Sequence, residues 1–165
     1  MIDITLKADK GYFNYRVGAI ILYDNKLLMV KNENSPYYYS VGGRVQFGET
    51  SEIAILREVY EETQLNFKID KLVFIHENFF IGGFQEYKPF QEIALFFLMK
   101  PHNDIKNIKS GSICADCGTE ALYWLPVDKL SDYPVVPEFF KSELKHLKNE
   151  VRHFITKDKN TFLAK

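Results

Sequence analysis

The sequence predicts a single layered domain of the α/β or α+β class, and three observations carry that expectation. Apolar, β-branched runs of strand length recur along the chain, among them YRVGAIILY, KLLMVKN, FKIDKLVFIHENFF, EIALFFLMK and ALYWLPVDKL. At least two other stretches change to helical spacing, one around residues 50–63 and one from Pro137. The 165 residues are 46% hydrophobic and 15% aromatic, enough to bury one core, and no repeat, low-complexity tract or linker divides residues 1–165.

The elements follow in chain order. After a polar start, residues 15–23 read as a strand, Asp24-Asn25-Lys26 as a turn, and KLLMVKN as the returning strand of a hairpin. NENSPYYYSVGGRVQFGE has turn formers at both ends and aromatics between, which gives loop, short strand and glycine-rich loop. A helix follows to Thr63: Thr50 or Ser51 can cap it and Glu52 suits its first turn. Residues 67–80 and 92–100 are strands, the second nearly all apolar and therefore central. Residues 101–119 are polar and read as a loop, and ALYWLPVDKL supplies a last strand ending at Pro126. Pro137 opens a second helix, PEFFKSELKHLKNEV, with Phe139, Phe140, Leu144, Leu147 and Val151 as its apolar stripe. The tail KDKNTFLAK either frays or packs Phe162 and Leu163 on a neighbour.

Charge and cysteine usage exclude several classes. A net charge of −1 and a pI near 6.4 give no global field for a nucleic acid polymer. The start MIDITLKADKGYF lacks the basic-then-apolar form of a secretory leader, and no apolar run approaches the roughly 20 residues of a membrane span, so the expected location is cytoplasmic. Cys114 and Cys117 are too few for a disulfide framework; their CxxC has zinc-knuckle spacing but no second pair, so an incidental loop pair is the expectation. His76, His102, His146 and His153 are scattered, with no nucleophile–base arrangement.

REVYEETQL, residues 57–65, holds the densest chemistry. On a helical wheel Ile53, Ile55, Leu56, Val59, Tyr60 and Thr63 share one arc, and Arg57, Glu58, Glu61 and Glu62 occupy the opposite side. Like charges at these spacings each cost a few tenths of a kcal/mol, and Arg57 four residues before Glu61 returns part of it. A solvated helix face is the ordinary reading. Gly42-Gly43 and Gly48-Glu49 precede the helix, however, and a tight loop there can bring backbone carbonyls beside the carboxylates. Three carboxylates and a carbonyl make an oxygen-rich site suited to a hard divalent cation.

The stretch GRVQFGETSEIAILREVYEETQL resembles the Nudix box, G-x5-E-x7-R-E-U-x-E-E-x-G-U with U apolar. Gly43, Glu49, Arg57, Glu58, Val59, Glu61, Glu62 and Leu65 are in register, and the last glycine is replaced by Gln64. The resemblance implies an α/β/α sandwich with a mixed β-sheet between helices. It implies hydrolysis of a nucleoside diphosphate linked to another moiety, with Mg²⁺ or Mn²⁺ as cofactor. Glu58, Glu61 and Glu62 would be metal ligands with the Gly42 carbonyl added, Glu58 and Glu61 also catalytic, and Glu49 and Arg57 a structural pair. A nucleotide-like small-molecule substrate follows, with no nucleic acid polymer and no membrane as partner; a homodimer stays open. If the family's glycine ends the helix in a left-handed turn, Gln64 either adopts that conformation at about 1 kcal/mol or the helix ends differently.

Outside the box, Glu92 is the first candidate for a further catalytic carboxylate, with Asp116 and Glu120 behind it and Glu77 and Glu86 weaker; a strand-edge charge is the plain alternative for Glu92. Arg44 is a candidate phosphate contact and Tyr39, in the run Tyr37-Tyr38-Tyr39, a candidate base contact, although only alternate tyrosines can share a strand face. Val41 stands where the family commonly has proline, and Trp124-Leu125-Pro126 resembles a strand-end packing motif. The rival from another class is a catalytically silent domain binding a nucleotide or nucleotide-sugar as a sensor. A single-strand nucleic-acid binder using Lys106, Lys109 and the tyrosines ranks below it.

Overall fold

A computed structural model of the chain describes residues 2–82, 88–113 and 120–158. Its elements are β1 (Thr5–Ala8), β2 (Gly11–Ile20), β3 (Leu22–Tyr23), β4 (Lys26–Asn32), β5 (Tyr38–Ser40), β6 (Gly42–Arg44), α1 (Ser51–Thr63), β7 (Ile69–Gly82), β8 (Lys88–Met99), β9 (Ser112–Ile113), β10 (Glu120–Pro126), β11 (Val135–Val136), α2 (Phe140–Glu143) and β12 (Arg152–Lys157). Tight 3-10 turns fill Ile105–Asn107, Val127–Asp132 and Leu144–His146.

The strands form two mixed sheets. One runs β1-β2-β8-β7-β12 with β6 also on β2; the other runs β11-β5-β4-β10-β9 with β3 on β4. The β2–β8, β7–β12 and β5–β11 pairs are parallel and the others antiparallel. The predicted hairpin turn is present: Asp24 and Asn25 both have positive φ, 50° and 55°, and Tyr23 pairs with Lys26. Those signs at two central residues match the twist of the flanking strands.

Strand alternation sends neighbouring residues to two cores. Val17 and Ala19 of β2 and Leu28 and Val30 of β4 meet Ala54, Ile55 and Val59 of α1 in one cluster. Ile20, Leu27, Met29, Phe74 and Phe96 meet Phe140 and Leu144 in the other. Both sheets contribute to both clusters, so helical elements cover the strands from opposite sides, the sandwich expected for this α/β chain.

Four expectations need correction. The polar start contains β1, which pairs with β2 and lends the sheet an exposed edge. The helix from Pro137 stops early: α2 and the turn after it end at His146, Val151 is exposed, and RHFITK becomes β12, parallel to β7. Helical spacing through Val151 lost to a sheet edge. Phe154 on β12 stacks on Phe139 with centroids 4.2 Å apart, and Arg152 forms an ion pair with Glu143. On α1, Ile53, Leu56 and Tyr60 are exposed rather than buried, while Glu62, expected on the charged side, is only 6% exposed. The stretch 101–113 is anchored by buried Ile105 and Ile108, and the Trp124 Nε1–H donates to the Ile108 carbonyl at 2.8 Å.

Candidate active site

The site is built on α1 and the glycine strand β6. Thr50 is the N-cap, its hydroxyl accepting from the Ile53 N–H at 3.2 Å. Ala54, Ile55 and Val59 bury at 0% exposure and fix the helix's rotation. The helix ends at Gln64, which adopts the left-handed conformation at φ 59° and donates its side-chain amide to the Tyr60 and Glu61 carbonyls, each at 3.2 Å. Gln64 therefore does what the glycine would do, with side-chain bonds offsetting part of the strain.

Arg57 ties the loop to the helix. Its Nε and Nη2 donate to Glu49 Oε1 and Oε2 at 2.7 and 3.0 Å, and Nη2 also reaches the Arg44 carbonyl at 3.1 Å. Nη1 donates to Glu58 Oε1 at 2.8 Å and Glu61 Oε2 at 3.0 Å. Glu49 also accepts from the Gln46 N–H at 3.0 Å. The hydrogen bond from Arg57 holds the Glu49 carboxyl below its usual range, and the bond to Glu49 is the chief cause that raises the arginine. These bonds clamp the loop before α1 against the helix.

Glu58 and Glu62 face the glycines. A Cβ on Gly43 would stand 2.4 Å from Glu58 Oε1 and 2.5 Å from its Oε2, so only glycine lets this carboxylate lie there. Burial raises the Glu58 carboxyl, and Arg57 opposes the rise. Gly42 N–H donates to Glu62 Oε1 at 2.9 Å, made accessible by the glycine's φ of 137°. Burial pushes the Glu62 carboxyl up to about 8, the Gly42 bond opposes it, and the charges of Glu58 and Glu120 add to it. Glu62 Oε2 is buried with no hydrogen-bond partner among the described residues. A buried, unbonded carboxylate oxygen is expensive unless something positive meets it.

Among the described residues no three Asp, Glu, His or Cys side chains stand grouped as a ready-made metal cage. Arg57 occupies one oxygen each of Glu58 and Glu61 instead. The donor set nevertheless fits a hard divalent cation: all the candidate donors are oxygens, Glu62 keeps one unbonded, and Gly43 leaves the space beside Glu58 free of a side chain.

Beyond the helix, the sheets bring further polar groups near. The Tyr39 hydroxyl donates to Glu120 Oε1 at 2.5 Å, so Tyr39 holds the carboxylate whose charge reaches Glu62. The sequence profile of the NUDIX domain matches residues 13–146, spanning the strands, the glycines and this helix. The chain belongs to the NUDIX family. It is 33% identical over 121 residues to a putative 8-oxo-dGTP diphosphatase of Bacillus subtilis (strain 168), covering 70% of each protein. It is 27% identical over 115 residues to a MutT-like protein of Streptomyces ambofaciens, where the match spans 70% of this chain but 64% of that protein's length. The crystal structure of a MutT protein from Bacillus halodurans superposes with a TM-score of 0.62 at 14% identity, covering 87% of this chain and 90% of that one, a likeness of fold.

The remaining predicted positions of this Nudix domain divide in two groups. Glu92 is buried on β8, accepts from Asn14 Nδ2 at 3.1 Å and lies 3.8 Å from Arg16 Nη1. Arg44 forms an ion pair with Asp3 at 3.6 Å. Glu77, by contrast, pairs with His153 at 2.9 Å on the far strand. Tyr38 packs edge-on to Tyr123 and Tyr133, away from Tyr39, as strand alternation requires. Val41 is fully buried and its carbonyl accepts from the Ala19 N–H at 2.8 Å. Glu86, Cys114, Asp116, Cys117, Phe162 and Leu163 lie outside the described residues. Among the described residues no helix is long and apolar enough to cross a membrane.

Sequence reasoning missed Arg16 and Asn14. Both are alternate residues of β2, and their partner Glu92 lies on β8, which pairs with β2 in parallel register. In the sequence the only signal was two polar positions on one face of a strand; the pairing that gives them meaning spans 78 residues.

Proposed function

We propose that this Nudix domain is a pyrophosphohydrolase: it cleaves a phosphoric anhydride in a nucleoside diphosphate linked to another moiety, with Mg²⁺ or Mn²⁺ bound at α1. The observation that carries the reading is the buried, unbonded Oε2 of Glu62, whose other oxygen is held by Gly42 beside the Gly43 that meets the Glu58 carboxylate. Glu58, Glu61, Glu62 and the Gly42 carbonyl are the ligands we assign. When bound, the cation supplies charge neutralisation on the diphosphate and lowers the pKa of a water.

The chain's own residues supply the rest. Gly42 N–H fixes the Glu62 carboxylate, leaving its second oxygen for a ligand. Arg57 balances Glu58 and Glu61 while Glu49 holds the arginine in place. Glu120, oriented by the Tyr39 hydroxyl, is the group we assign to accept the proton of the attacking water. Glu92, engaged by Asn14 and facing Arg16, serves better as a positioning group than as the base. The name of the Bacillus subtilis relative supports diphosphate chemistry.

The test is phosphate release with Mg²⁺ and with Mn²⁺ across oxidised nucleotides, nucleotide sugars, dinucleoside polyphosphates and ADP-ribose. At least one class should turn over in a metal-dependent manner, and Glu61→Gln or Glu62→Gln should abolish most of that turnover while circular dichroism stays unchanged. Full activity in both variants would sink the assignment. Binding of a non-hydrolysable diphosphate without turnover of any substrate would instead favour the silent sensor.

A further inference from the structure

Two arginines stand directly opposite one another on adjacent strands. Arg16 of β2 is in register with Arg44 of β6 in an antiparallel pair. Residues so paired share a face with Cβ atoms about 4.5–5.5 Å apart, and like charges there destabilise a sheet. Both side chains are partly shielded, at 35% and 41% exposure, so water screens them incompletely.

Their polar partners do not use them up. The Arg16 side chain makes no hydrogen bond among the described residues; its counter-ion is Glu92, 3.8 Å away and beyond hydrogen-bond reach. Glu92 itself is held firmly, because Thr5 Oγ1 donates to Asn14 Oδ1 at 2.9 Å and Asn14 Nδ2 donates to Glu92 Oε2 at 3.1 Å. That chain of bonds fixes a carboxylate beneath an arginine whose own N–H groups stay unspent. Arg44 meets Asp3 only at 3.6 Å, and its Nε is buried without a partner. Arg57 Nη2 of α1 donates to the Arg44 carbonyl at 3.1 Å, and the charge of Arg16 reaches the carboxylates of Glu58 and Glu62, so both residues adjoin the α1 site. Gly43, next to Arg44 on the three-residue strand β6, looks onto Glu58 from the strand's other face.

We propose that Arg16 and Arg44 form an anion clamp for one phosphoryl group of the substrate's diphosphate, the other lying toward the cation that the glutamates would hold. The role deepens the pyrophosphohydrolase reading and rests on it for the identity of the ligand. A phosphate shared by two guanidinium forks fills the unspent donors and removes the like-charge repulsion at once. Glu92 and Asn14 are positioning residues that keep Arg16 aimed. The clamp gives the site its demand for a diphosphate rather than a single phosphate ester.

The experiment separates this role from turnover. Inorganic pyrophosphate is titrated calorimetrically into the full chain in chelator at low ionic strength, beside Arg16→Lys, Arg16→Gln, Arg44→Lys and the surface control Lys7→Gln. The wild type and Lys7→Gln should bind one pyrophosphate each. Arg16→Lys and Arg44→Lys should each weaken it about tenfold by losing the forked geometry, and Arg16→Gln further. If Arg16→Gln fails to fold, Arg16→Lys carries the test, because it keeps a cation facing Glu92. No pyrophosphate binding by the wild type, or Arg16 variants binding within about twofold of it, overturns the clamp. Clamp-dependent binding together with no hydrolysis of any nucleotide class keeps the clamp and discards the hydrolase reading. In an active enzyme Arg16→Lys should raise KM for the diphosphate substrate more than it lowers kcat.

Discussion

Gly43→Ala tests the carboxylate site with a single methyl group. The added Cβ would lie 2.4–2.5 Å from three atoms of the Glu58 carboxyl, where ordinary contact begins at 3.4 Å. The carboxylate must therefore retreat by about 1 Å. The backbone itself offers no objection, because Gly43 is absent from the positive-φ residues. Strain falls on the end of one flexible side chain, so the fold should lose only about 1 kcal/mol, the low end for overpacking, or about 2–4 °C in Tm. The effect on chemistry should be far larger, since misplacing a reacting or ligating group by 1 Å costs about 100-fold. The assay is steady-state phosphate release at saturating Mg²⁺, with Mn²⁺ affinity measured calorimetrically. A kcat/KM within about threefold of the wild type would refute the claim that the Gly43 face seats a working carboxylate. Gly43→Ala in a Glu58→Gln background should add little further loss, because the two changes act on one group.

Three further predictions follow from other residues. Glu62→Gln keeps the acceptor for Gly42 N–H and removes a carboxyl whose ionised form burial disfavours, so the metal-free protein should gain about 1–2 kcal/mol near neutral pH while the Tm rise that Mn²⁺ gives the wild type disappears; thermal melts with and without Mn²⁺ read both. Gln64→Gly relieves left-handed strain of about 1 kcal/mol but forfeits two side-chain bonds, leaving stability within about 0.5 kcal/mol, whereas Gln64→Val keeps the strain without the bonds and should lose about 1–2 kcal/mol in urea unfolding. His76, 5% exposed and bonded to Thr156 at 2.7 Å, has its pKa pushed down to about 4 by burial, with the charge of His153 adding to the effect. A folded pKa below the unfolded 6.5 means that the unfolded chain takes the proton first. The stabilisation is therefore complete above pH 6.5 and fades by about 2–3 kcal/mol as pH falls toward 4. Asn78 also bonds Thr156, and Glu77 pairs with His153, so the test is a difference: His76→Phe should flatten the slope between pH 6.5 and 4.

Much of this molecule could be read from local pattern because its strongest signals are local. Residues 17–22, 27–30 and 93–99 are unbroken apolar runs within the strands, and the Asp24-Asn25 turn has residues that tolerate positive φ. The residues of the α1 site were legible through the resemblance to the Nudix box, because Glu49, Arg57, Glu58, Glu61 and Glu62 all lie within one loop and one helix. The amphipathic arc of α1 was legible only in part. Ile53, Leu56 and Tyr60 carry the right periodicity, yet Ala54, Ile55 and Val59 are the residues the sheet covers, and helical rotation is decided by what packs rather than by the wheel.

The sequence by itself determined the family, the layered α/β class and the carboxylate helix, since each is encoded in contiguous spacing. Only the tertiary structure decided that β12 replaces the end of a helix, that Tyr39 holds Glu120, that Glu62 is buried, and that Arg16 faces Glu92 beside Arg44. Each of those depends on strands far apart in the chain meeting in a particular register, and register is set by the summed burial of whole faces rather than by any residue's neighbours in sequence.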